Sequence, residues 1–308
     1  MKISEIGEFG LIERLKGLLN SHIIGDDTAP IKLQEHTLLL TCDLLLQDRH
    51  FRIHYPPSAI GWKAISVNVS DVVANGGEPL YCLVSLILPD LEVRYVEDIY
   101  LGIKKACEFY SCQVVGGNIS KGDKLGLDIF MIGKADRFVG RGGAKVGDGV
   151  FVSGTLGDSR AGLELLQMEK KHYEDFELRL IEKHLRPTAR IDFIRHISKY
   201  ANASMDISDG LSSDVEKLSK ASQVKISLFS DKIPISQELV SFCKRHGKDP
   251  LEYALSGGED YELLFTHPPE RLNPFLSMVQ IGFVEEGEGV FLDGKPLKPT
   301  GFDHFRVV

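Results

Sequence analysis

The sequence predicts an α/β (α+β) protein built as two domains. Three observations carry that prediction. Strand-like apolar runs intermix with amphipathic helical runs in both halves of the chain. A stretch dense in glycine and charge, "VGRGGAKVGDGV" from Val139 to Val150, interrupts the pattern near the middle. The length of 308 residues suits about two units of roughly 100–200 residues each. The expected division is therefore 1–138 and 139–308.

In order along the chain, residues 37–42 read as a buried strand ending at Asp43. "PPSAIGWKAISVNVSDVVANGG" reads as a helix, with Pro56 and Pro57 at its start and Gly76 and Gly77 at its stop. "LYCLVSLIL" (80–88) is a continuous apolar strand. "VEDIYLGIKKACEFY" (96–110) is an amphipathic helix, with Ile99, Ile103, Ala106 and Phe109 near helical spacing. "QVVGGN" (113–118) is a short strand running into glycines, and "LGLDIFMIGK" (125–134) is another strand. The second half opens with the strand "VFVSG" and the helical "GDSRAGLELLQMEK". Two helical stretches follow around 175–200, then the strand "ASMDIS" with its helix, the strand "VKISLF", and a turn, "GGEDYELLFTH" (257–267), feeding a strand.

Composition narrows the function classes. A hydrophobic share of 43% and a charged share of 26% are those of an ordinary soluble protein. The formal net charge of -8, from 36 Lys+Arg against 44 Asp+Glu, argues against bulk nucleic-acid binding, which needs a basic footprint. It leaves room for an anionic small substrate, because bound divalent cations reverse the local field. The five cysteines are odd in number and form no Cys-x-x-Cys pair, so they read as reduced thiols of a cytoplasmic protein. The N-terminus carries early acids and no long apolar run, so no signal peptide is expected. No run reaches about 18 apolar residues, so no membrane span is expected either.

The chemistry lies in the aspartates. Asp26, Asp27, Asp43, Asp71, Asp206 and Asp209 fall at strand ends, in turns, or on a helix beside apolar positions. Capping accounts for any one of them, and Asp209 before Gly210 and Leu211 suits an N-cap. Asp71 is harder to explain so, because Asn68, Asp71 and Asn75 make a polar stripe on an otherwise apolar helix. Buried carboxylates need partners, and few basic residues lie nearby in sequence. A hard cation such as Mg²⁺, which takes carboxylate and phosphate oxygens, is the remaining partner.

Other signals are weaker. "GGNISKGDK" carries Gly117 and Gly122 at P-loop spacing, but Asp123 stands where that loop needs Lys, and no Gly-x-Gly-x-x-Gly appears. Gly116 and Gly117 either admit a phosphate to backbone N–H groups or make a tight turn. Arg141 is either a phosphate clamp or an ordinary exposed arginine. His50 and His54 in "HFRIH" stand four apart, yet Ile53 and "YPP" favour a loop over a zinc-binding helix. Glu259 and Asp260 fall in a Gly-rich turn. No Gly-x-Ser-x-Gly elbow and no activated cysteine context is present.

Taken together, "GEFGLI", "IGDDTAP", "TCD", "WKAISVNVSDVVANGG", "VVGGN", "GRGGAKVGD", "VSGTLGDSRAGL", "HLRPTARI", "MDISDGL", "SGGEDYELLFT" and "GFDHF" resemble, in order from Gly7 to Phe305, the thiamine-monophosphate kinase family. That family belongs to the ATP-binding superfamily that includes aminoimidazole ribonucleotide synthetase. The resemblance implies ATP-dependent phosphorylation of thiamine monophosphate to thiamine diphosphate by direct transfer. It implies Mg²⁺ positions at Asp27, Thr41, Cys42, Asp43, Asp71, Asn118, Asp206 and Asp209, with Asp43, Asp71 and Asp209 as the catalytic carboxylates. Tyr100, Gly117, Asn118, Arg141 and Ser208 would contact ATP. His50, Glu259 and Phe302 would contact the thiamine phosphate. It further implies a homodimer joined through the first domain, with the second domain closing the site. Three positions depart from the family's habit: Cys42 is often Thr, Asn118 often Asp, and Phe302 often an aromatic with a hydroxyl or indole.

The rival readings are a sister enzyme of the superfamily, a Mg-nucleotide sensor without turnover, and a metal-dependent phosphohydrolase. Selenophosphate synthetase places a reactive Cys or selenocysteine near its N-terminus, whereas the first Cys here is Cys42. The hydrogenase-maturation dehydratase ends in Cys, whereas this chain ends "FRVV".

Overall fold

The structure, a computed structural model, describes residues 2–33 and 35–301. Helix α1 (Ile3–Leu18) precedes a five-stranded sheet made of β1 (Ala29–Leu33), β2 (His36–Leu46), β3 (Glu78–Leu88), β4 (Gln113–Lys121) and β5 (Gly126–Ala135), in the order β1-β2-β5-β3-β4. Only the β3–β4 pair in this sheet is parallel. Helices α2 (Pro57–Ala74) and α3 (Val93–Tyr110) connect its strands.

The second sheet draws on β6 (Gly149–Val152), β7 (Ala203–Asp206), β8 (Lys225–Leu228), β9 (Leu263–His267), β10 (Val279–Glu285), β11 (Gly289–Leu292) and β12 (Lys295–Pro296), in the order β12-β11-β8-β10-β6-β9-β7. Around it pack α4 (Asp158–Gln167), α5 (Asp175–Leu185), α6 (Ile194–Tyr200), α7 (Leu211–Ser222), α8 (Gln237–His246) and α9 (Pro250–Ser256). The mixed α/β class read from the sequence is what the chain adopts.

Helix α2 positions the site. Residues from Ala59 to Ala74 are buried at every position except Trp62 and Asp71. A helix apolar on all sides belongs inside a protein. Here the first sheet covers one flank, and α3, α5, α6 and β7 surround the rest. The fit against α3 depends on two glycines. A Cβ on Gly61 would stand 2.1 Å from the Ile99 carbonyl oxygen, and one on Gly102 would stand 2.0 Å from that of Ser58.

Several local expectations are corrected. Strand β2 does not end at Asp43 but runs on to Leu46, because β5 pairs with it from Thr37 through Leu46. Residues 39, 41, 43 and 45 therefore face α2, while 38, 40, 42, 44 and 46 face away. "LYCLVSLIL" alternates, with Tyr81, Leu83 and Ile87 exposed on the face that α2 does not cover. Gly116 and Gly117 are in the middle of β4, paired to Leu83 and Val84, and not in a turn. In α3 the buried position is Tyr110, while Phe109 is half exposed.

Candidate active site

The polar stripe on α2 is read residue by residue by the first domain. Asn68 Oδ1 accepts the Asp43 backbone N–H at 3.1 Å. Asp71 Oδ2 accepts the Thr41 hydroxyl at 2.6 Å. Asn75 Oδ1 accepts both N–H and Oγ1–H of Thr28, and its Nδ2 donates to Asp26 Oδ1 at 3.0 Å. One helix face thus fixes the "IGDDTAP" loop and the middle of β2 together. The second domain joins through Ser70, whose hydroxyl donates to Asp206 Oδ2 at 2.6 Å. Asp206 ends β7 and is buried.

Four carboxylates from both domains feel one another's charge. Burial, then its neighbours Asp43, Asp206 and Asp27, raises the Asp71 carboxyl well above the usual range. Burial and then Asp27 do the same to Asp206. Burial pushes Asp27 up to about 7 against the pull of Arg141, and Asp43 rises to about 6 by burial and then by Asp128 and Asp209. Such a set carries excess negative charge unless protonated or countered by a cation.

Arg141 is not an ordinary exposed arginine. Its side chain is 16% exposed, its Nη2 pairs with Asp27 Oδ1, and its backbone N–H donates to Asp26 Oδ2 at 3.0 Å. Asp27 Oδ2 is left buried without a hydrogen bond. Asp209 pairs with Lys217 Nζ at 2.6 Å. Asp209 does not cap α7, whose N-cap is Gly210 with no side-chain cap bond; Asp214 Oδ2 instead holds the turn before the helix, accepting the N–H groups of Asp209 and Gly210 at 3.1 Å each. Gly210 carries φ +114°, a conformation that suits glycine, and this lets the chain turn from β7 into α7. Asp214, Lys217, Ser70 and Tyr261 were not singled out in the sequence. Burial and then the charges of Glu259, Asp43, Asp206 and Asp71 raise the Tyr261 hydroxyl, which places that ring beside the carboxylates.

At the other end of α2, Lys63 Nζ stands 2.7 Å from Glu259 Oε1, and His184 Nδ1 stands 3.4 Å from Glu259 Oε2. Burial raises the Glu259 carboxyl, but Lys63, His184 and His50 together bring it below its usual value. His50 is in the turn after β2, and its Nδ1 accepts the Leu46 N–H at 2.9 Å. The segment from His50 to His54 is not helical, as expected. Ser208 is beside Glu259, whose N–H donates to the Ser208 carbonyl at 2.8 Å.

The remaining candidates lie apart from the carboxylates. Strand alternation puts Cys42 on the outer face of the first sheet, opposite to Thr41 and Asp43. Asn118 pairs with Ser85 on that same outer face, and its Nδ2 donates to Ser120 Oγ at 3.3 Å. Gly117 faces the other way, with a Cβ there 1.9 Å from the Val84 carbonyl oxygen. Tyr100 is on α3, its hydroxyl raised by burial. Among the described residues no hydrogen bond or ion pair links Tyr100, Gly117 or Asn118 to the carboxylates. Phe302 and most of "GFDHF" lie outside the described residues. No group of three or more His, Cys, Asp and Glu among the described residues converges on a single ion position.

Comparison with known proteins defines the class. The N-terminal domain of AIR synthase related proteins matches residues 25–135, and the C-terminal domain matches residues 145–291. The chain is thus a two-domain protein of the AIR synthase related class. It is 63% identical to the thiamine-monophosphate kinase of Aquifex aeolicus over 99% of this chain and 100% of that one. It is 35% identical to the enzyme of the same name from Salmonella typhimurium over 98% of this chain and 99% of that one. The structure of AaThiL complexed with AMPPCP and TMP superposes with a TM-score of 0.98 at 63% identity, covering 99% of each chain. The chain belongs to the thiamine-monophosphate kinase family.

Proposed function

We infer that this chain transfers the γ-phosphoryl group of ATP to thiamine monophosphate, giving thiamine diphosphate and ADP. The observation that carries this reading is the near-complete match to AaThiL complexed with AMPPCP and TMP. AMPPCP has a methylene in place of the oxygen between its β- and γ-phosphorus atoms, so it stands in for ATP without reacting.

Phosphoryl transfer asks for positioning and charge neutralisation more than for covalent chemistry. The chain's own residues supply the positioning. Helix α2 ties β2, the Asp26–Asp27 loop and β7 into one wall through Thr41, Asn68, Ser70, Asp71 and Asn75. We assign Asp43, Asp71 and Asp209 as the carboxylates at the reacting phosphates. Arg141 and Ser208, with Tyr100, Gly117 and Asn118, serve the nucleotide. His50, Glu259 and Phe302 serve the acceptor.

The same wall fits Mg²⁺. Its donors are oxygens, Asp27 keeps a buried oxygen without a partner, and the four carboxylates share excess charge. Between them Asp27, Thr41, Asp43, Asp71, Asp206 and Asp209 would hold several ions, with Cys42 and Asn118 as the family's further positions. When bound, Mg²⁺ neutralises phosphate charge that otherwise keeps ATP and a phosphate monoester apart.

The protein's proposed assembly is a homodimer. Leu44, Leu46, Tyr81, Leu83 and Ile87 are exposed on the outer face of the first sheet, on β2 and β3 with β5 between them, and exposed apolar residues on one sheet face support pairing with a second copy. Unpaired thiols at all five cysteines suit a cytoplasmic protein, and no described helix is long and apolar enough to cross a membrane. We keep 1–138 and 139–308 as the domain division.

The test is ADP formation with Mg²⁺ and ATP, with and without thiamine monophosphate, using γ-labelled ATP. Label should reach thiamine diphosphate and leave no labelled protein. ADP produced equally fast without the acceptor would replace this reading with phosphohydrolysis.

A further inference from the structure

Lys63 is a charge in the wrong setting for a merely solvated lysine. It is in the first half of α2, 3% exposed, with Glu259 as its ion-pair partner at 2.7 Å. The approach is off the line of a hydrogen bond, so Nζ completes none within the described residues. Burying an ammonium is costly unless an opposite charge compensates it, and here that charge is Glu259.

Glu259 has a second neighbour as well. His184, 2% exposed, faces its second oxygen, and Ser159 Oγ in turn stands 3.1 Å from His184 Nδ1. Backbone φ at Glu259 is +63° and at Tyr261 +52°, two left-handed non-glycine residues within three positions. Strain of that kind persists only where the surroundings over-determine it. Those surroundings are on either side of it. Asp260 accepts the N–H groups of Gly157 and Ser159 at the start of α4, and Glu262 accepts from Ser153 and Arg190. The Glu259 side chain stays 25% exposed, so one side of its carboxylate remains open.

Lys63 also shares its helix with the carboxylate wall. Seven residues on, Ser70 bonds Asp206 of the second domain, and Asp71 follows. At a rise of about 1.5 Å per residue, seven residues separate the two cross-domain ties by about 10 Å.

We propose that Lys63 is a positioning residue for the acceptor: it fixes the Glu259 carboxylate and, through the rigid span of α2, sets the acceptor end of the site against the carboxylate wall at Asp71. This rests on the reading of Glu259 as an acceptor contact. Lys63 acts through Glu259, with His184 holding the second oxygen, and does not itself touch the reacting atoms.

The experiment is steady-state kinetics of Lys63→Met, Glu259→Gln and the double variant, varying thiamine monophosphate and ATP separately. Lys63→Met should raise KM for thiamine monophosphate about tenfold or more while KM for ATP stays within about twofold. The double variant should be no worse than Glu259→Gln alone, within about twofold, because the lysine works through that carboxylate. If Lys63→Met fails to fold, the double variant, which carries no unpaired buried charge, still answers the question against Glu259→Gln. Multiplying defects in the double variant, or a parallel rise in KM for ATP, overturns the proposal. So does an acceptor defect in Glu259→Gln with none in Lys63→Met, which leaves the kinase reading standing. An unchanged KM for thiamine monophosphate in Glu259→Gln overturns the acceptor assignment and the proposal with it. Wild-type turnover measured in parallel tests the kinase reading itself.

Discussion

The Ser70 hydroxyl of the first domain donates to Asp206 of the second at 2.6 Å, with both residues buried. This bond joins α2 to the end of β7, where the chain turns toward Asp209. Ser70→Ala removes the donor and leaves a buried carboxylate oxygen without it. Such a loss costs about 1–3 kcal/mol. The expected result is a lower midpoint of thermal unfolding and reduced turnover. An unchanged midpoint and full activity would show that the two domains are registered elsewhere.

Asp71→Asn keeps the size of the side chain and a partner for the Thr41 hydroxyl, so the fold should survive. Turnover should fall on the order of 10²-fold or more, the scale of losing an electrostatic stabiliser at developing charge. Circular dichroism and ADP formation together check both halves of this. Near-normal turnover would remove Asp71 from the reacting end of the site.

Cys42 faces away from Thr41 and Asp43, on the outer side of the first sheet. A thiol is in any case a poor ligand for a hard cation. Any metal contact there would use the backbone carbonyl, which every residue supplies. Cys42→Ala and Cys42→Thr should both keep turnover within about tenfold, a barrier change of roughly 1.4 kcal/mol. A defect in Cys42→Ala that extra Mg²⁺ restores, with Cys42→Thr unaffected, would assign the side chain a metal role.

His184 gives a pH signature. Burial, then the nearby Lys63 charge, lowers its pKa to about 3 in the folded protein. An unfolded histidine titrates near 6.5, so between those values the unfolded chain binds the extra proton and stability rises with pH. Lowering the pH from 7 to 5 should therefore cost the wild type about 2 kcal/mol more than it costs His184→Gln. Denaturant unfolding of both proteins at the two pH values checks this. Parallel losses would mean that His184 is protonated while buried, paired with Glu259.

Part of the candidate site was legible in the sequence because its signals are local. A polar stripe at spacings of three and four on an apolar helix marked Asn68, Asp71 and Asn75, and each proved to bond a residue of the first domain. The aspartates stood out because a carboxylate beside apolar runs needs a partner. Lys63 was equally visible, a lone charge in "WKAISV", but nothing nearby in sequence named its partner, which is 196 positions away at Glu259.

What the sequence by itself determined was the alternation of elements, the α/β class and, through eleven ordered motifs, the family. What only the tertiary structure decided was pairing and facing. Strand pairing carried β2 past Asp43, because hydrogen bonds to β5 continue where the apolar run is broken. The same alternation turned Cys42 away from its neighbours on either side. Arg141 with Asp27, Lys217 with Asp209, and Lys63 with Glu259 are ion pairs; Arg141 with Asp27 and Lys63 with Glu259 span more than a hundred residues, whereas Lys217 is within one helix of Asp209. A side chain's chemistry is written at its own position, but its partner is set by packing, which brings together segments that the order of the chain keeps apart.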